Sequence, residues 1–112
     1  LGMCVKVSNV LTNKVSRLIN FIHMPVPVDR TDDVYYKPLW ELKVNDDTQV
    51  ILGLVHESQT YEKNIKRMNV ARNFLPEFGI ATECGLGRCD AHSMPGLMNL
   101  HNRLAEYLDK LT

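Results

Sequence analysis

The side chains of this sequence best suited to chemistry fall in three clusters. They are His23 with Asp29 and Arg30, His56 with Glu57, and Glu83 with Cys84 and Arg88. Histidine exchanges protons near neutral pH, and a carboxylate such as Glu83 can share that work. A cysteine thiolate is a nucleophile or a metal ligand. Arginine presents a planar fork that matches a carboxylate, so Arg30 and Arg88, with Asp29 beside the first, suit substrate binding. Each cluster follows an apolar run: "INFIHM", "QVILGLVH" and "FGIATEC". The candidate catalytic set is therefore Cys84, His23, His56 and Glu83, with Asp29, Arg30 and Arg88 as substrate binders.

Each of these residues also has a purely structural reading. A histidine after an apolar strand can be a hydrogen-bonded core residue, and a free cysteine is commonly a small buried hydrophobe. Cys4 and Cys89 fit that second role. Asp29 and Arg30 can form a solvated ion pair of little energetic weight. Gly85 and Gly87 suit a turn, and "GLGR" lacks the full glycine spacing of a phosphate loop. Neighbouring strand residues point to opposite faces, so Glu83 and Cys84 share one rim only if the turn begins between them.

Composition narrows the function classes. The chain has 112 residues, enough for one domain, and 45% hydrophobic and 23% charged residues are ordinary for a globular protein. Thirteen basic and thirteen acidic residues cancel, which removes the usual electrostatic footprint of a nucleic-acid binder. No apolar run reaches the ~20 residues that span a bilayer, and no secretory signal pattern opens the chain. Three cysteines in no paired spacing suggest a reducing, cytoplasmic setting. The chain starts at Leu1, as a processed product or a fragment would.

The elements that must position these residues follow from periodicity. Met3, Val7, Val10, Leu11, Val15 and Leu18 recur at helical spacing, which predicts a helix over 2–18 with those residues inward. Strands are predicted near 19–23, 48–55 and 78–82. The first ends at His23, because Pro25 and Pro27 lack ladder donors. "VYYKPLWELK" reads as a short helix or turn broken at Pro38. Tyr35, Tyr36 and Trp40 suit core packing better than a pocket mouth. A helix over 59–75 has Tyr61, Ile65, Met68, Ala71 and Leu75 inward and Glu62, Lys63, Lys66, Arg67 and Asn69 outward. Ser93 is the expected cap of a last helix to Leu111, with Leu97, Leu100, Leu104, Leu108 and Leu111 inward and His92 and His101 at its flanks.

Strands alternating with helices predict an α/β fold with parallel strands and right-handed crossovers. The continuously apolar "QVILGLV" suits a strand covered on both faces. Such a sheet carries its sites at the C-terminal strand ends, where His23, His56 and Glu83-Cys84 would gather on one rim.

The motifs "HMPVP-DR", "LGLVH" and "ATECGLGR" resemble the uroporphyrinogen-decarboxylase and cobalamin-independent methionine-synthase superfamily of TIM barrels, along almost the whole chain. The resemblance implies three βα units from the last part of a (β/α)₈ barrel. It also implies a transferase-like enzyme in which zinc, without cobalamin, assists methyl transfer to a thiol of a small molecule. In that family the "CG" cysteine and a strand-end glutamate bind zinc, which places Cys84 and His23 at two ligand positions. The family's His-x-Cys pair has no counterpart here. The alternatives are a barrel-derived binding or assembly protein that does not catalyse, and a metal-free decarboxylase-type lyase. A whole barrel needs about 250 residues. The piece is therefore expected to be a homo-oligomer, or to join the remainder of a longer barrel, rather than to be a stable monomer.

Overall fold

A computed structural model describes residues 1–83 and 90–111 of the chain. Three strands, β1 (Phe21–Pro25), β2 (Gln49–Val55) and β3 (Gly79–Thr82), form one sheet in the order β1-β2-β3, and both pairings are parallel. Among the described residues four α-helices accompany them: α1 (Gly2–Lys14), α2 (Asp33–Tyr36), α3 (Tyr61–Arg72) and α4 (Met94–Leu111). Short 3₁₀ turns cover Lys37–Glu41 and Ala91–Ser93. No described helix is long and apolar enough to cross a membrane.

The register places His23 opposite Ile51 and Ile51 opposite Gly79, so these residues share one side of the sheet. Met24, Val50, Leu52 and Leu54 point to the other side. There they are buried in one cluster with Met68 and Ala71 of α3 and Leu97 and Leu104 of α4. Burial of each such side chain contributes ~1.5–3 kcal/mol, and this layer is the main source of stability. The first side is the barer one: Phe21, His23, Pro25 and Gln49 are exposed, Ile51 is half-buried and Gly53 is buried.

Several expectations need correction. β1 does not end at His23 but runs on to Pro25. It is an edge strand, where a missing donor is tolerated. α1 stops at Lys14, four residues early, and Val15 turns extended (φ −83°, ψ 130°). Its apolar stripe does not face the protein. Met3, Val7, Val10 and Leu11 are all exposed, while Val5 and Ser8 on the opposite side are buried. The reason is the partner available. α1 packs chiefly on Lys37–Glu41, and Asn9 holds it there through bonds to the Glu41 carbonyl (2.8 Å) and the Lys43 amide (2.6 Å).

Tyr36 is fully buried as expected, but Trp40 is exposed and meets Phe74 in a tilted pair, 4.8 Å between ring centres. Arg67, expected outward, is fully buried. Thr60 caps α3 by accepting the Lys63 amide. Before α4, Asp90 accepts the His92 amide and caps the turn Ala91–Ser93, and Ser93 directly precedes the first residue of α4.

Candidate functional site

The C-terminal ends of the three strands carry a buried polar cluster built around His56. The residue follows β2 directly and is only 3% exposed. Its Nε2 lies 2.7 Å from the carbonyl of Val26, just past β1. A carbonyl can only accept, so Nε2 bears a hydrogen and donates it. Its Nδ1 faces Glu83 Oε2 at 3.5 Å, just past β3. One imidazole thus touches the ends of all three strands.

Asn64 and Arg67 complete the cluster from α3. The Asn64 amide pairs with the His56 backbone as a neighbouring strand would. Its Oδ1 accepts the His56 amide at 3.0 Å, and its Nδ2 donates to the His56 carbonyl at 3.2 Å and the Thr60 carbonyl at 2.9 Å. Arg67 donates from Nε to the Leu54 carbonyl (3.1 Å), from one terminal nitrogen to the Val28 carbonyl (3.0 Å), and from the other to Asn64 Oδ1. Burial pushes the guanidinium pKa down from its ordinary value, with Tyr36 acting the other way. Buried polar groups are tolerable only when paired, and these are. The arrangement holds the Leu54 carbonyl, where the register of β2 against β3 breaks, and the Val28 and His56 carbonyls beyond the strand ends. Chemically it is a clamp: it commits His56 Nε2 to the Val26 carbonyl and leaves Nδ1 facing Glu83.

His23 is different. It lies in the middle of β1 on the bare face, exposed. A side-chain carbon placed on Gly53 would stand 2.6 Å from His23 Nε2 and 3.2 Å from the Thr82 carbonyl. The imidazole tip therefore lies over β2, in the space the glycine leaves. His23 and His56 are on different sides of the strand ends and do not form one rim.

The other expected site residues divide clearly. Glu83 is largely exposed at the mouth of β3 and touches His56. Asp29 is exposed, and Arg30 pairs with Asp32 rather than with it, through Nε–Oδ1 at 2.8 Å and a second bond of 3.0 Å. That hydrogen-bonded pair raises the Arg30 pKa and lowers that of Asp32. The Arg30 guanidinium also lies 4.7 Å over the Tyr35 ring, so its fork is already occupied. Cys84 and Arg88 lie outside the described residues, as do Gly85, Gly87 and Cys89. Among the described residues no three histidine, cysteine or acidic side chains gather as a metal would need.

Two hollows flank the sheet without touching either histidine. One of about 260 Å³, mostly apolar, lies beside β3 between Ala81, Thr82, Met94, Leu97, Met98 and His101. The other, about 450 Å³, sits at the N-terminal strand ends among Asp46, Asp47, Glu77 and Asp109.

Sequence reasoning missed Asn64 and Arg67. A signal was present: 64, 67, 68 and 71 fall on one helical stripe, and the charge of Arg67 hid its place on it. Comparison with protein-family models, with curated proteins and with solved structures gives no match for this chain.

Proposed function

We propose that this chain is the C-terminal part of a (β/α)₈ barrel of the methionine-synthase-like group its motifs resemble, a transferase-like enzyme acting on a small molecule. The observation that carries the reading is the one-sided sheet. Parallel sheets are ordinarily covered on both faces. In a doubly wound fold the second face carries helices and the strand order reverses. A sequential parallel order with helices over one face and a bare opposite face suits a barrel wall, whose inner face packs against the other strands. On that wall His23 would project inward, Glu83 would stand at the mouth, and His56 would hold the mouth in shape.

A catalytic zinc takes three ligands from protein. Of the described residues the resemblance offers His23 alone, too few to hold zinc by themselves, and Cys84 lies outside them. A second reading, a non-catalytic assembly protein, is favoured by the exposed stripe of α1.

The test is solution behaviour with ligand binding. Light scattering is expected to find the chain in an assembly rather than as a monomer, because the bare face and two sheet edges need covering. In that assembly, a series of small thiols and carboxylates is expected to shift the NMR signals of His23, Gly53 and Thr82. A compact, cooperatively melting monomer would overturn the barrel reading. An assembly that no such ligand perturbs would leave the assembly protein as the answer.

A further inference from the structure

We infer that Gly53 is a positioning residue: by having no side chain it lets His23 lie over β2 and present Nε2 beside the end of β3. The inference rests on the reading of the bare face as the site. Three observations lead to it. Gly53 interrupts an otherwise branched, apolar strand, a place where glycine weakens the element unless something approaches closely. Its φ lies outside the left-handed region, so the backbone does not require glycine there. What it supplies is room. A Cβ there would sit 2.6 Å from His23 Nε2, inside van der Waals contact, and 3.2 Å from the Thr82 carbonyl.

The register of β2 against β3 also breaks between Leu52 and Val55, the interval that contains Gly53. Such irregularities re-aim side chains and recur beside sites. Here the break and the missing side chain coincide under one imidazole. The same glycine role does not extend to Gly79, where a Cβ would come no nearer than 3.4 Å to Ile51. A ligand on the bare face would meet His23 Nε2 over Gly53, near the Thr82 carbonyl. The chemistry that fits is a small polar group able to hydrogen-bond an imidazole.

The experiment compares Gly53→Ala with Gly79→Ala by NMR of the histidine ring nitrogens and protons, in the intact full-length chain. Gly53→Ala is expected to move the His23 ring signals and leave His56 in place, while Gly79→Ala moves neither. The panel of small thiols and carboxylates should bind Gly53→Ala at least tenfold more weakly. In a His23→Ala background, adding Gly53→Ala should have no further effect on that binding, which separates ring placement from a general loss of strand order. Unchanged His23 signals in Gly53→Ala overturn the inference. Displaced His23 signals, with no ligand response in the parent chain, support the placement and instead overturn the reading of this face as the site. If Gly53→Ala fails to fold, Gly53→Ser with His23→Ala tests the same contact: recovery of the fold in the double variant supports it, and no recovery overturns it.

Discussion

His23 and His56 occupy matching places in the sequence, each closing an apolar run, yet the fold gives them opposite circumstances. His56 is buried, its ring nitrogens facing the Val26 carbonyl and Glu83 and its backbone paired with Asn64. His23 is exposed on a face no helix covers, with only a glycine beneath its ring tip. The helix-covered side of the strand ends is a place of mutual restraint, where each polar group answers another. The bare side leaves a polar group available. A histidine after a strand is thus not one kind of evidence. Its meaning depends on which side of the sheet it takes.

The contrast is sharpest at Arg67. Replacing it with methionine keeps much of the volume but leaves the carbonyls of Leu54 and Val28 without their donor, and the Asn64 oxygen with the His56 amide alone. The expected cost is about 3 kcal/mol or more, read as a lower urea midpoint at unchanged slope. Lysine should not rescue it, because a single ammonium cannot reproduce the fork. A loss under about 1 kcal/mol would mean the clamp is ornamental.

Next comes the histidine pair itself. His56→Ala should cost about 2 kcal/mol through the unpaired Val26 carbonyl and the space left behind. His23→Ala should stay within about 0.5 kcal/mol, as exposed substitutions do. Equal costs would erase the distinction between the two sides. α1 offers a parallel test on a smaller scale. Val5→Ala should cost about 1–2 kcal/mol, and Val7→Ala within about 0.5 kcal/mol, if the helix faces the protein as described.

The smallest effect is expected at Asp32, which is exposed, pairs with Arg30 and accepts the Tyr35 amide at 3.1 Å. Its pKa is lowered in the folded state, chiefly by the Arg30 bond, from an ordinary 3.8. The stabilisation is therefore present above 3.8 and is lost as pH falls through the lower folded value. Asp32→Asn should lower the melting temperature slightly at pH 7, and the gap from the parent should close in strong acid. A gap that widened in acid would have the sign wrong.

How much of this was legible beforehand is clearest residue by residue. Met24, Leu52 and Leu54 announce buried strands through composition alone. Leu97 and Leu104 announce the inward face of α4 through spacing. Those signals are local and strong. Asn64 and Arg67 were legible by spacing but masked by type, since a charged residue inside is rare unless every donor finds an acceptor. The acceptors belong to Leu54 and Val28, 13 and 39 residues away, and no local pattern points to them. The site residues follow the same division. Glu83 falls at the mouth of β3, as the strand reading requires, while Arg30 turns to Asp32 because that carboxylate is two residues away and already oriented.

The sequence by itself determined the element order and the parallel α/β class, because apolar runs and helical periodicity are properties of neighbouring residues. It also determined that histidines and an acid stand at or near strand ends. Only the tertiary structure decided which side each one takes. A strand alternates its side chains every residue, so shifting the end of β1 from His23 to Pro25 changes what His23 can meet. The side of α1 that is buried was likewise decided by the packing of that helix on Lys37–Glu41, a contact between segments some thirty residues apart. Apolar spacing marks a stripe that would gain from burial. It does not supply the surface that buries it.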